Sequence, residues 1–334
     1  MSVTIKDVAK RVGVTPTTVS MALKNDPRIS GPTKTKVLDA VNELNYYPNY
    51  IGQALVKGKT DTIAVVSSIF FAWFKMDVLN GIGRKILETK YRMNHYAIRL
   101  ETRDEELRGI LHGKRADAVI AISFKPGDEV LAEFKEKGVP LVLIEDTAEG
   151  YAGVKVDNFK GAYMATDYLA KKGKKNIGFV SMPYAEDRGG YNVIERFEGY
   201  KKALADNKMD IRKRSIQEIN RYTFDDGRAA MSRFLEGKKE IDAVFCAAGD
   251  IVSMGMIKEA KSRGLKIPGD ISVVGYDDIV MSEMVSPALT TVKQPIFEMG
   301  QAAVRMVTDS LEHGGRGPGE VVIFQPELII RESA

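Results

Sequence analysis

Few side chains in this chain of 334 residues are placed to do covalent or acid–base chemistry. His95, His112 and His313 stand at no metal-binding spacing, no phosphate loop or nucleophile elbow occurs, and Cys246 lies in the apolar run DAVFCAA without an evident base. Burial rather than reactivity is expected of that thiol. Acids such as Glu145 and Asp277 could in principle serve as a hydrolytic pair. Nothing else in the pattern accompanies them, so neither catalysis nor a metal nor a cofactor is expected. Other residues have the chemistry of recognition. The segment SSIFFAWFKMD carries Phe70, Phe71, Trp73 and Phe74, whose ring faces suit a sugar or a planar base, with at least one ring, Phe70 by preference, expected in the core. Arg188 lies in a glycine-containing loop and Arg196 heads the run RFEGY, where its fork of donors can grip paired oxygens or pair with a helix acid. Asp250 and Asp277 follow apolar runs, with Asp278 read as capping or solvated.

The elements that position these groups begin with TIKDVAKRVGVTPTTVSMAL, Thr4 to Leu23. Thr4 with Asp7 is spaced to satisfy amides at a helix start. Ile5, Val8, Ala9 and Val12 make one apolar stripe, which Gly13 ends. Thr15 followed by Pro16 restarts a helix in cap-then-proline order. On this second helix Val19, Ala22 and Leu23 face inward and leave Thr17, Ser20, Met21 and Lys24 on the opposite face, small, polar and cationic as a groove reader requires. A third helix, Ser30 to Leu44, has Ser30 or Gly31 as cap and Val37, Leu38, Val41 and Leu44 as its core face. The stretch Asn49 to Lys59 then contains Gly52 and is only a marginal helix by itself.

Charge follows the same division. Residues 1–60 hold nine Lys and Arg against four Asp and Glu, and the remainder holds 40 against 41, for a net +4. A basic head on a near-neutral body suits a phosphate backbone contacted at one end. A single cysteine excludes an internal disulfide and favours a reducing compartment. With neither an apolar signal core nor a window of membrane-spanning length, a cytoplasmic location is expected.

From Thr62 the pattern changes to short β-rich runs, TIAVVSS, HYAIRL, DAVIAIS, PLVLIE, NIGFVS, DAVFCAA and ISVVGY, alternating with helical stretches. Parallel sheets covered on both faces are expected, and the series is too long for one sheet, so two similar α/β lobes are expected. Ligand groups should then come from loops after the strands.

The runs IKDVAKRVGVTPTTVS, NELNYYPN, ISVVGYDD and PALTTVKQP, in this order along the whole chain, resemble the lactose-repressor, galactose-repressor and purine-repressor family of bacterial transcription regulators. The resemblance implies a helix-turn-helix head (1–46), a hinge helix and linker (47–60), and a doubly wound, two-lobed body like a periplasmic binding protein (61–334). Its crossings fall near 158–161, 289–293 and 321–324, giving a first lobe of about 61–159 and 293–321 and a second of about 161–290 and 324–334. Periplasmic sugar-binding proteins share the architecture, but would carry an export signal and no head. The implied DNA contacts are Thr4, Thr15, Pro16, Thr17, Thr18, Ser20, Met21 and Lys24, and, in the connector, Asn49, Tyr50, Gln53 and Leu55. Leu55 matches the family's minor-groove wedge; packing against the body is the other reading. Met21 departs from the family, many of whose members carry arginine there, and Pro16 and Thr17 replace larger polar readers. The implied ligand contacts are Ser68, Phe71, Trp73, Phe74, Glu145, Arg188, Arg196, Tyr222, Asp250 and Asp277. The partners implied are operator DNA, a second copy of the chain, and a small effector, a sugar or else a purine.

Overall fold

The computed structural model describes residues 3–49, 52, 57–68, 73–183, 191–211, 215–236, 241–313 and 319–334. Its contacts divide the chain into two units, Met1–Thr60 and Asp61–Ala334.

The first unit contains α1 (Ile5–Val12), α2 (Pro16–Leu23) and α3 (Gly31–Glu43). Asp7 Oδ2 accepts both the Thr4 N–H, at 2.8 Å, and the Thr4 hydroxyl, at 2.7 Å, closing the start of α1. Gly13 ends it at φ +76°, a left-handed conformation free of Cβ strain only in glycine, and returns its N–H to the Ala9 carbonyl at 2.9 Å. Thr15 Oγ1 accepts the Thr18 N–H at 3.1 Å, and Pro16 follows as the first residue of α2. Ser30 immediately precedes α3, its hydroxyl bonded to that of Thr33 at 2.9 Å. Val8, Ala9, Val19, Ala22, Val37, Ala40 and Tyr46 form the core. Leu38, expected in that core, is 47% exposed: Val37, Ala40, Val41 and Leu44 occupy the inward stripe, and position 38 turns away from it.

The second unit is built on two six-stranded sheets. The first comprises β1 (Thr62–Ser67), β2 (Arg92–Ala97), β3 (Ala118–Ile122), β4 (Leu141–Ile144), β5 (Ala152–Val156) and β11 (Val321–Phe324), in the order β11-β5-β4-β3-β1-β2, all parallel. The second comprises β6 (Ile177–Ser181), β7 (Ile216–Glu218), β8 (Ala243–Cys246), β9 (Ser272–Asp277), β10 (Thr290–Lys293) and β12 (Glu327–Ile329). Its order is β12-β10-β9-β8-β6-β7, parallel except where β12 runs antiparallel to β10.

Both faces of each sheet are covered, which is why the central strands read as unbroken apolar runs. Ile63, Val65 and Ile120 face α4 (Trp73–Ile86) and α12 (Ile296–Glu312), while Ala64, Val66 and Val119 face α5 (Arg103–His112) and α6 (Asp128–Lys137). On the second sheet α7 (Asn158–Lys171) and α8 (Tyr191–Asp206) cover one face, and α9 (Phe224–Leu235) and α10 (Asp250–Ser262) the other. The short α11 (Met281–Met284) follows β9. Helices α4 and α12 cross backbone to backbone: a Cβ on Gly81 would stand 2.1 Å from the Phe297 carbonyl oxygen, and one on Gly300 would stand 2.3 Å from that of Val78.

The chain passes from the first sheet to the second between β5 and α7, returns between β10 and α12, and crosses again between β11 and β12. β10 therefore lies wholly in the second lobe and β11 wholly in the first, so the later two crossings follow these strands instead of falling within them. The run HYAIRL is also displaced, since β2 begins at Arg92. β5, with Gly153 and Lys155 inside it, and the three-residue β7 and β12 carry too little alternating or β-branched character to stand out in the sequence.

Candidate nucleic-acid interface and effector cleft

In the head, Thr17 on α2 and Lys24 just after it are exposed, with Ser20 and Met21 half-buried beside them. The hydroxyls of Thr15 and Thr18 lie 2.9 Å apart at the start of the helix, so these two candidates also hold the cap. Arg11 is tied to Glu43 at 2.9 Å, fastening α1 to α3. Asn49 Oδ1 accepts the Gly52 N–H at 3.2 Å. Tyr50, Gln53 and Leu55 lie outside the described residues.

In the body, the ligand candidates gather at the carboxyl ends of the strands, where parallel sheets expose loop backbone. Ser68 follows β1, Ser123 follows β3, Glu145 follows β4 and Asn158 follows β5. From the second lobe come Asp250 after β8, Asp277 at the end of β9 and Gln294 after β10. Several contacts join the two sets. Glu145, at φ +72°, accepts from the Ser123 hydroxyl and, at 3.1 Å, from Asn192 Nδ2 on α8. Lys155 on β5 pairs with Glu195 on α8 at 2.5 Å.

Arg196 is 6% exposed and carries no helix-acid partner among the described residues, which removes that alternative. Its Nε donates to Asn158 Oδ1 at 2.8 Å and its Nη1 to the Ala247 carbonyl at 2.7 Å, with the guanidinium 3.8 Å above the Tyr276 ring. The Tyr276 hydroxyl donates to the same Asn158 oxygen at 3.3 Å. Asp277, at φ +112°, accepts from Gln294 Nε2 at 2.7 Å. Gln294 Oε1 is buried and has no hydrogen-bond partner among the described residues, a position that a ligand hydroxyl or amine can fill. Burial, then repulsion from Asp250, raises the Asp277 carboxyl to about 8, against the pull of Arg196. Tyr222 is 47% exposed, yet burial around its hydroxyl and the charge of Glu145 push its pKa to about 12. The two observations agree for a side chain that is open to solvent on one side while its hydroxyl is surrounded by protein.

Three expectations require correction. Asp250 is 1% exposed and both carboxylate oxygens are occupied: Oδ2 accepts from the Ile279 N–H at 3.0 Å and Ser282 at 2.7 Å, and Oδ1 from Thr291 at 2.5 Å. It braces the loop after β9 and offers nothing to a ligand. Phe74 lies in the first-lobe core, while Trp73 beside it is 43% exposed. Asp278 neither caps nor is solvated, but pairs with Arg331 at 2.8 Å. Cys246 is buried and its thiol is raised to about 12, as an inert core residue should be. Phe71 and Arg188 lie outside the described residues. Lys75, Ser123, Asn158, Asn192, Tyr276 and Gln294 escaped sequence reasoning; Gln294 stands inside the run PALTTVKQP and could have been found there.

A three-helix head with exposed polar residues on its second helix, followed by a two-lobed body whose strand ends bring polar side chains of both lobes together, has the make-up of a DNA-binding regulator responsive to a small molecule. Residues 4–49 match the family model for bacterial regulatory proteins of the lacI family, and residues 166–334 match the periplasmic binding protein-like domain. The chain is 34% identical to catabolite control protein A of Priestia megaterium over 92% of each chain. It is 30% identical to the transcriptional repressor PurR of Proteus mirabilis over 99% of this chain and 96% of that one. Among solved structures, a Lac repressor dimer bound to operator and an anti-inducer superimposes with TM-score 0.87 at 23% identity, covering 100% of this chain and 99% of that one. A CelR–cellobiose complex superimposes with TM-score 0.73 at 29% identity, covering 99% and 100%. The chain belongs to the lacI family of bacterial regulatory proteins, and is a transcription regulator.

Proposed function

We propose that this protein is a cytoplasmic, dimeric repressor whose α2 helices read a near-palindromic operator and whose interlobe cleft binds a small hydroxylated effector, a sugar in preference to a purine. The observation that carries the effector reading is Arg196. A buried guanidinium held by Asn158, Ala247 and Tyr276 keeps its remaining donors at a fixed angle, beside an acid and an orphaned amide oxygen that complement hydroxyl groups. Exposed Trp73 supplies a ring face on the first lobe and Tyr222 one on the second. The CelR relative's complex with cellobiose supports a sugar. A purine is the second reading, favoured by the same two rings and by the PurR relative.

A ligand touching both lobes favours one lobe angle, and in a dimer that angle sets the separation of the two connectors that enter DNA. Two reading helices related by a two-fold axis require half-sites about one helical turn apart. No catalytic step is proposed, since Glu145, one of the two acids of the candidate hydrolytic pair, has its oxygens engaged by Ser123 and Asn192.

Thermal-shift screening of a sugar and nucleobase panel, followed by operator-binding titration with the best compound, tests the reading. The expected result is an effector whose stabilisation disappears in Arg196→Ala and which changes operator affinity of the wild type. Footprints of a monomer on a single asymmetric half-site, or an effector response that survives Arg196→Ala, would overturn it.

A further inference from the structure

The arrangement of ligand groups above leaves Lys75 unexplained. It sits in the first turn of α4 and is 7% exposed. Its side chain turns back to the end of β1, where Nζ donates to Ser68 Oγ at 2.9 Å. Among the described residues this is the one hydrogen bond the ammonium makes, although it has three donors. The carboxylate whose charge it feels, Glu145, has its oxygens engaged by Ser123 and by Asn192 of the opposite lobe. Burial lowers the pKa of the amine while Glu145 raises it, and Lys75 adds to the burial that depresses His95, whose Nε2 lies 2.9 Å from the Ser67 hydroxyl. A buried ammonium with one neutral acceptor is unfavourable to the empty protein. A methionine of similar length would pack there without that penalty.

We infer that Lys75 reads an anionic group, a carboxylate or a phosphate, carried by the effector on the side that faces the first lobe. This rests on the interlobe cleft being the effector site. The ammonium touches Ser68, one of the residues assigned to the ligand wall, and lies close enough to Glu145 for their charges to interact where that residue meets the second lobe. Its unengaged donors suit oxygens of a small anion. The charge balance of the cleft agrees. Burial, aided by the charge of Asp278 at Asp250 and by that of Asp250 at Asp277, keeps protons on these two acids at a pH where ordinary acids have lost them, so Lys75 and Arg196 face Glu145 with a surplus of positive charge. An anionic sugar supplies the missing charge, and the neutral sugar of the same shape does not.

The test is calorimetric titration of the full-length protein with glucuronate, galacturonate and glucose 6-phosphate against glucose, galactose and cellobiose, using wild type, Lys75→Met, Lys75→Gln and Arg196→Ala. At least one anionic sugar should bind wild type about tenfold or more tighter than its neutral counterpart, and both Lys75 variants should lose that preference while binding the neutral compound within about threefold of wild type. A uronate or a sugar phosphate as the tighter ligand distinguishes the two anion sources. Without ligand, Lys75→Met should melt no lower than wild type, which separates lost recognition from lost fold. A neutral sugar bound as well as every anionic one, no anionic compound bound below millimolar concentration, or a preference that survives both Lys75 substitutions overturns the inference. If Arg196→Ala abolishes binding and both Lys75 variants keep the anion preference, the anion assignment alone fails. If no substitution changes binding, the cleft reading has failed with it.

Discussion

Nε of Arg196 lies 2.8 Å from Oδ1 of Asn158, a bond that joins α8 to the first residue of α7, just after the chain leaves the first lobe. The same oxygen takes the Tyr276 hydroxyl, so a single amide aims both the guanidinium and the ring beneath it. Asn158→Ala leaves the cation in place but loosens its direction. Loss of a buried hydrogen bond to a charged group costs about 1.5–3 kcal/mol, so effector affinity should fall by roughly tenfold or more, with operator affinity in the absence of effector nearly unchanged. Titrating effector into variant and wild type checks this; equal affinities would mean that the amide does not aim the arginine.

Lys155 and Glu195 form an ion pair between lobes, with side chains 19% and 30% exposed. Asn158 Nδ2 also donates to Glu195 at 3.4 Å. Partial burial reduces solvent screening, so a double-mutant cycle with Lys155→Met and Glu195→Gln should give a coupling of about 0.5–1 kcal/mol in urea denaturation of the whole chain. The coupling should shrink when effector shifts the lobe angle, and a value of zero in both states would show that the pair does not help hold the lobes.

What could be read in advance was local. Thr4, Gly13, Thr15 and Pro16 mark helix ends through groups a few residues apart, and β1, β3 and β8 are apolar runs because both faces are covered. What escaped was set by partners distant in sequence. Asp250 and Asp277 look alike as acids after strands. Asp250 is occupied because its oxygens meet groups 29 to 41 residues downstream. Lys75 belongs to no motif, and its role appears only where its side chain turns back to Ser68, seven residues earlier. Phe74 and Trp73 are adjacent rings, and helix periodicity sends only one inward.

Met21 is half-buried on α2, the proposed reading helix, near exposed Thr17 and Lys24. A thioether offers apolar contact, such as to a thymine methyl, whereas arginine grips guanine with two hydrogen bonds worth about 1–3 kcal/mol of discrimination. Met21→Arg should therefore shift the preferred base at one operator position in each half-site toward guanine and raise the salt dependence of binding. Selection from a randomised operator library checks it; identical preferences for the two proteins would remove Met21 from the reading surface.

Stability should depend on pH through Asp277. Burial and the neighbouring Asp250 raise its carboxyl to about 8, with Arg196 and Gln294 opposing and the charge of Glu145 adding to the rise. In the unfolded chain the group ionises near 3.8. Between those values the folded protein holds a proton that the unfolded chain has released, so unfolding becomes easier as pH rises through the window, and the loss is complete above the folded pKa. An Asp277→Asn variant keeps an oxygen for Gln294 and never has to hold that proton. Its advantage over wild type should be small near pH 5 and widen toward pH 8, by at most about 1.4 kcal/mol per pH unit, with part of the gap offset because Asp250 then ionises more easily. Urea denaturation of both proteins at pH 5, 6, 7 and 8, at constant ionic strength, measures it. A constant difference across that range would mean that Asp277 is already ionised in the folded protein at pH 5 and that the acid pair holds no extra proton.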